Sequence, residues 1–139
     1  MLDKEEALIY TMILAASSDA EIHPYEKDRI YNIVGGYPIF KNMDDSRIEV
    51  IARAVFEELN FNEFETIFEN IKKALNPLER QMGFVFASLV VSADGKITPQ
   101  EKDFIKKIGE CLNIDDIHFE KLTYPLAVAF GAQTLEEIN

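Results

Sequence analysis

The chain has 139 residues, the usual size of a single domain and enough to bury a hydrophobic core. Its 25 acidic and 14 basic residues give a net charge of −11, so the surface repels phosphate backbones and nucleic acid is excluded as an expected partner. Cys111 is the only cysteine, which excludes an internal disulfide and a cysteine-rich zinc site and fits a reducing compartment.

The N-terminal region predicts neither secretion nor membrane insertion. Its first six residues are acidic where a signal peptide is basic. The longest apolar stretches, residues 7–16 and 83–91, are shorter than the roughly 20 residues that a bilayer-spanning helix needs. We therefore expect a cytoplasmic protein.

Helical patterns fill the first half of the chain. Residues 8–16 are apolar on nearly every face, which predicts a buried central helix. A polar turn follows, and Pro24 suits the first position of a second helix. A stripe of apolar residues at helical spacing predicts the next helix: Ile48, Ile51, Ala52, Val55, Phe56 and Leu59.

The middle of the chain predicts one amphipathic helix and a second buried one. Asn76 is a good N-cap and Pro77 suits the first helical position, so a helix is expected to begin there. Residues 84–91 are again apolar almost all round, as in the first central helix. The preceding amphipathic helix is predicted by another apolar stripe: Phe61, Phe64, Ile67, Phe68, Ile71 and Leu75.

The C-terminal third predicts a helix that begins at Pro99, followed by two short helical pieces. These pieces cover residues 116–122 and 125–130, with breaks at Pro125 and Gly131. Strand signals are weak throughout. The sequence thus predicts an all-α domain of about seven helices.

The chain contains an internal repeat. Residues 17–28 align without gaps with residues 92–103, 75 positions later, and seven of the twelve positions are identical. Each copy follows one of the two apolar central helices. We therefore predict a single domain over residues 1–139, with two pseudo-symmetric repeats at about 4–60 and 77–130 around two buried central helices.

The repeated motif reads Asp-x-x-Ile-x-Pro-x-Glu and could carry chemistry. Divalent cations such as calcium and magnesium bind several oxygen ligands, and zinc also accepts carboxylates. The first turn would supply Asp19 and Glu26, with Glu21 as a weaker third candidate, and the second turn would supply Asp94 and Glu101. One interpretation is therefore a site for calcium, magnesium or zinc.

An ordinary EF-hand is excluded as the form of such a site. The run from Asp94 to Glu101 resembles the second half of an EF-hand loop, with Gly95 at the sharp turn. Val90 and Ser92 stand where that loop needs its first two acidic ligands.

Helix capping is the alternative interpretation of the same motif. Thr98 and Glu101 have the spacing of a capping box with a proline between them, so Glu101 would accept a hydrogen bond from the N-cap amide. Asp94 and Gly95 would then simply close the preceding helix. His23 is a poorer N-cap than Thr98, which leaves Glu26 less fully explained by capping.

Two buried helices, each followed by Ser-x-Asp-x-x-Ile-x-Pro-x-Glu-Lys and an amphipathic helix, resemble the TerB-like tellurite-resistance domain family. The resemblance implies an all-helical fold with internal pseudo-symmetry, and a bacterial stress-resistance context. It also implies a divalent cation at the acidic turns, or a scaffolding role beside membrane-linked and co-chaperone modules. Carried over by position, the cation ligands are Asp19, Glu26, Asp94 and Glu101; Ala20 stands where the first turn would have glycine.

These observations predict a protein that is not an enzyme, because no nucleophile or cofactor motif accompanies the carboxylates. The predicted function is a TerB-like stress-response module that binds a divalent cation or acts as a scaffold for a protein partner, including one in a membrane-associated complex. The alternative is a metal-independent acidic domain that binds other proteins. Parallel central helices would bring both acidic turns to one end, whereas antiparallel helices would separate them by roughly 20 Å.

Overall fold

A computed structural model of the chain describes residues 1–17 and 22–139. Within these ranges the chain forms seven α-helices, two short 3-10 helices and no strand, which confirms the all-α prediction. The α-helices are α1 (Lys4–Ala16), α2 (Pro24–Gly36), α3 (Asp45–Leu59), α4 (Phe64–Ala74), α5 (Pro77–Val91), α6 (Pro99–Cys111) and α7 (Asp116–Ala129), and the 3-10 helices are Pro38–Phe40 and Leu135–Glu137.

The helices α1 and α5 form the centre of the molecule and pack more extensively on each other than any other pair. Every residue of α1 from Ala7 to Ala16 is buried, as expected of a helix that is apolar on every face. Gly83 lets the two helices approach closely, because a Cβ atom there would lie 3.3 Å from Leu8 Cδ2. The buried Thr11 hydroxyl is satisfied locally, since it donates to the Ala7 carbonyl at 2.8 Å.

Capping boxes start both central helices. At α1 the Glu6 amide donates to Asp3 Oδ1 at 2.8 Å, and the Asp3 amide donates back to the Glu6 carboxylate. At α5 the same reciprocal pair joins Asn76 and Glu79. The predicted helix start at Asn76 is thereby confirmed, and its physical basis is the pairing of two amides that the helix itself leaves unbonded.

The other helices surround this central pair. The helices α2, α3 and α4 pack against α1, while α2, α6 and α7 pack against α5. On the second side the rings of Phe84 and Phe119 lie 5.4 Å apart. Gly109 makes room for them, because a Cβ there would come within 3.1 Å of the Phe119 ring.

The prediction of two separate helical pieces near the C-terminus was wrong, because α7 runs unbroken through Pro125. Proline removes the amide that would bond the Lys121 carbonyl, and Lys121 lies on the exposed surface where water can replace that bond. The predicted break at Gly131 is confirmed: α7 ends at Ala129, and Gly131 follows with a φ of +77°, a conformation that favours glycine.

The C-terminal tail, residues 133–139, folds back onto α6 and α7. The side chains of Leu135 and Ile138 are buried. The Lys102 ammonium on α6 donates to the backbone carbonyl of Glu136 at 3.1 Å and to that of Ile138, and Lys106 forms an ion pair with the Glu136 carboxylate. The tail is therefore part of the folded core.

Phe61 departs from the predicted apolar stripe of α4. It precedes the helix and is 82% exposed, while Ile67, Phe68 and Ile71 are buried as predicted. None of the helices in the described part of the chain is long and apolar enough to cross a membrane. The pseudo-symmetry of the two repeats stays a prediction.

Candidate functional site

Residues from both acidic motifs line one cleft of about 590 Å³. Because the motifs are 75 positions apart, their meeting is a consequence of the tertiary fold. The lining residues come from the two turns, from the first turns of α2 and α6, and from the end of α5: His23, Tyr25, Glu26, Val91, Asp94, Thr98, Gln100, Glu101 and Phe104.

The described end of the first turn, at His23, lies beside the second turn, because residues of both line one cleft. Arg29, just over one turn into α2, donates from Nη1 to the Leu89 carbonyl near the C-terminal end of α5, at 3.1 Å. The start of α2 is thus held beside the end of α5, where the second turn begins. Described residues of both motifs therefore meet, as expected for parallel central helices, and they are not separated by the length of a helix.

The second turn is closed by local hydrogen bonds. The Gly95 amide donates to the Ser92 carbonyl at 3.0 Å. The φ of Gly95 is +81°, a backbone conformation that would be strained for a residue with a side chain. The Lys96 amide donates to Asp94 Oδ1 at 3.1 Å, so the aspartate stabilises its own turn. Ile97 is buried and anchors the turn to the core.

The predicted capping box at the second turn is confirmed. The Thr98 amide donates to Glu101 Oε1 at 2.8 Å, and the Glu101 amide donates to Thr98 Oγ1 at 3.1 Å. Asp94 is exposed and Glu101 is half-buried. The capping interpretation therefore accounts for one oxygen of each carboxylate, Oδ1 of Asp94 and Oε1 of Glu101.

The first turn is described only from Ile22 onwards. The His23 amide donates to Glu26 Oε1 at 3.0 Å, as the corresponding amide does in the second turn. Glu26 lines the cleft and is only 8% exposed to solvent. The predicted ligand Asp19 and the weaker candidate Glu21 lie outside the described residues.

The structure thus brings three of the four predicted cation ligands, Glu26, Asp94 and Glu101, to a common cleft. Among residues 1–17 and 22–139, no three His, Cys, Asp or Glu side chains lie close enough together to hold a metal ion. A site with three or more carboxylates would therefore need a ligand from residues 18–21, and Asp19 is the position that the motif offers. Metal binding stays a prediction.

A second cavity, which the sequence did not predict, is an apolar groove of about 470 Å³ lined mainly by residues of α1, α2 and α3. At its rim the Tyr31 hydroxyl donates to Glu49, and this hydrogen bond raises the pKa of Tyr31 to about 12 and lowers that of Glu49. The apolar stripe on α3 was the available indication, because Ile48, Ala52 and Phe56 line this groove whereas Ile51 and Val55 do not.

Cys111 lies at the end of α6, next to the hydrophobic core. Its thiol is half-buried, and burial raises its pKa above the usual value, with the Glu65 carboxylate acting in the same direction. A raised pKa reduces the reactive thiolate fraction at neutral pH, so the thiol has no sign of a nucleophilic role.

Most of the chain matches one protein family. The family described as "Tellurite resistance protein TerB" matches residues 5–123, which include both acidic turns and both central helices. No curated protein and no solved structure matches at a significant level. The match covers most of the chain, and the chain therefore belongs to the TerB family.

Proposed function

We propose that this TerB-family chain is a stress-response module that binds a divalent cation, calcium, magnesium or zinc, in the cleft between its two acidic turns. The observation that carries the proposal is the meeting of Glu26, Asp94 and Glu101 at one cleft, although they come from motifs 75 residues apart. A cation there would join the two halves of the molecule and hold a defined surface for a protein partner.

The chemistry of the donors supports this proposal. Ionised carboxylates offer about four lone-pair positions each, so a hydrogen bond to one oxygen leaves capacity for a cation. Glu101 and Glu26 each accept a helix-capping amide on Oε1, which fixes the carboxylate before any ligand arrives. The burial of Glu26 would strengthen its attraction to a cation, because water screens it less there.

Asp19 is the residue on which this proposal depends most. The described carboxylates do not form a three-ligand group by themselves. Asp19 occupies the position in the first motif that Asp94 occupies in the second, and it precedes the cleft residue His23 by four positions. We propose Asp19 as the fourth ligand.

Variants that remove charge but keep the capping hydrogen bonds separate cation binding from helix capping. Asp94→Asn and Glu101→Gln retain an oxygen acceptor at the capping position and lose the negative charge. Thermal melts of the parent and the double variant, in chelator and then with calcium, magnesium or zinc, give the comparison. A cation at a hundredfold excess over its Kd stabilises the parent by about 2.7 kcal/mol, or roughly 5–10 °C in Tm.

The double variant and Asp19→Asn should each lose that shift while melting normally in chelator. Glu110→Gln with Glu120→Gln is the matched control, because it removes the same charge from exposed helical positions away from the cleft. This control should keep the full shift. A parent that does not respond to any of the cations, or a double variant that responds as the parent does, would show that the turns serve as helix caps only.

A metal-independent acidic interaction domain is the second candidate function. The net charge of −11 favours it, because a strongly acidic surface attracts a basic protein in a salt-dependent way. On this proposal no cation shifts the Tm, and a basic partner dissociates as ionic strength rises. We propose a cytoplasmic location and a non-enzymatic role for either function.

A further inference from the structure

The groove between α2 and α3 has the properties of a peptide-docking site. Its floor consists of the buried side chains of Ile13, Ile30 and Ile48, and half-buried Ala52 and Phe56 form one wall. Its volume of about 470 Å³ is within the range of sites that hold small ligands or a few side chains. The groove is therefore apolar, open and large enough for two aliphatic side chains.

Two basic side chains, Lys27 and Arg53, lie at the rim of this groove, although the whole chain carries a net charge of −11. Lys27 lies 3.8 Å from the Glu49 carboxylate, and Arg53 is exposed on the adjacent turn of α3. Glu49 is already engaged by Tyr31 and Lys27. The rim thus carries a local positive charge that would attract a carboxylate on an incoming segment.

The second half of the chain shows what the corresponding basic residue of α6 binds. Ile30 on α2 corresponds to Ile105 on α6 at the repeat offset of 75, and Lys27 corresponds to Lys102. On α6, Lys102 and Lys106 hold the C-terminal tail. The tail places Leu135 and Ile138 in the core, three positions apart, and its backbone carbonyls accept hydrogen bonds from Lys102.

We propose that the α2–α3 groove binds a short acidic segment of a partner protein, with two aliphatic residues three positions apart and a carboxylate between or beside them. The two aliphatic side chains occupy the floor, as anchors at i and i+3 do in other grooves. The backbone of the segment accepts hydrogen bonds from Lys27, and its carboxylate faces Arg53. This binding needs no cation and stands independently of the proposed cleft site.

The tail of a second copy is a poorer occupant than a separate partner. In the folded chain Leu135 and Ile138 are buried against their own helices, and Lys102 and Lys106 hold the tail in place. Exchanging the tail between two copies would first break these contacts. A segment that belongs to another protein carries no such cost.

A peptide with the sequence of the tail, acetyl-Gln-Thr-Leu-Glu-Glu-Ile-Asn, is a suitable probe because it carries the required spacing and charge. It is titrated in chelator into the full-length ¹⁵N-labelled protein, up to about 1 mM, the range in which short-peptide affinities are measurable. We expect saturable chemical-shift changes grouped around Tyr31 and Ala52. A second peptide with serine in place of both aliphatic residues should produce none.

Charge reversal at the rim tests the proposed orientation. Lys27→Glu with Arg53→Glu should weaken the peptide by about tenfold or more, since two attractive contacts become repulsive. Lys73→Glu with Lys121→Glu is the matched control, because it makes the same charge change at exposed positions outside the groove, and it should bind as the parent does.

Three outcomes would overturn the proposal: no saturable shift, shifts confined to the α6 face, or equal binding by the rim variant. A concentration-dependent dimer in light scattering that Leu135→Ala abolishes would instead assign the groove to a second copy of this chain. Because the titration contains chelator, an absence of peptide binding would leave the proposed cation site untouched. Likewise, an absence of any cation-induced shift in Tm would leave the proposed peptide site untouched.

Discussion

The faces of α2 and α6 occupy the same position in the repeat but have different surroundings. On α6, Lys102 donates hydrogen bonds to two backbone carbonyls of the C-terminal tail, and Ile105 is buried. On α2, Lys27 and Ile30 line the groove that α2 forms with α1 and α3. The repeated motif thus determines how each helix starts. Contacts with distant parts of the chain determine what its basic residue binds.

The interior of the two halves differs in a related way. Val34 near the end of α2 corresponds to Gly109 on α6, and both are buried. At Gly109 the missing side chain lets Phe119 and Phe84 come close, which brings α7 against the central helix. The absent side chain thus allows α7 to approach α5 closely at this position.

The largest expected effect comes from removing the anchors of the tail. Leu135→Ala with Ile138→Ala should lower the free energy of unfolding by roughly 2–4 kcal/mol, because two buried aliphatic side chains are lost from a site near the chain end that can partly collapse. Urea denaturation measures this loss. Asn139→Ala, at an exposed position of the same tail, should change stability by less than about 0.5 kcal/mol. Similar values for both variants would mean that the tail is not part of the core.

A somewhat smaller effect is expected from placing the side chain of the first half into the second. Gly109→Val should cost about 1–3 kcal/mol, since even the Cβ atom approaches the Phe119 ring to 3.1 Å and the valine methyl groups must displace it. The control is Gly35→Val, where a Cβ meets nothing within 4 Å. If Gly109→Val is as stable as the control, the difference between the halves does not depend on this close approach.

The smallest effect concerns the helix cap at the second turn. Thr98→Ala should cost about 1 kcal/mol, because Thr98 Oγ1 accepts the Glu101 amide, which would otherwise lose its partner. Gln100→Ala lies in the same exposed first turn without such a bond and serves as the control in thermal melts. A cost near zero for Thr98→Ala would weaken the capping interpretation and favour a ligand role for this turn.

The sequence by itself predicted much of the local structure. Apolar residues on every face marked α1 and α5 as buried, and Asn76–Pro77 and the Thr98–Glu101 pair marked helix starts that the structure confirms. These features depend on neighbours within four positions along the chain, so the pattern of residues is enough to predict them. The break at Pro125 was predicted wrongly, because a proline is tolerated where water can reach the carbonyl left without a partner.

Only the tertiary structure decided that Glu26, Asp94 and Glu101 share one cleft, and that Lys102 of α6 binds the C-terminal tail while Lys27 of α2 lines a groove. Both outcomes depend on how α1 and α5 are oriented and on where α3 and the tail pack. These are contacts between residues far apart in the chain. They follow from the shapes of the packed side chains, such as the close approach of Leu8 to Gly83, and helical periodicity alone does not specify them.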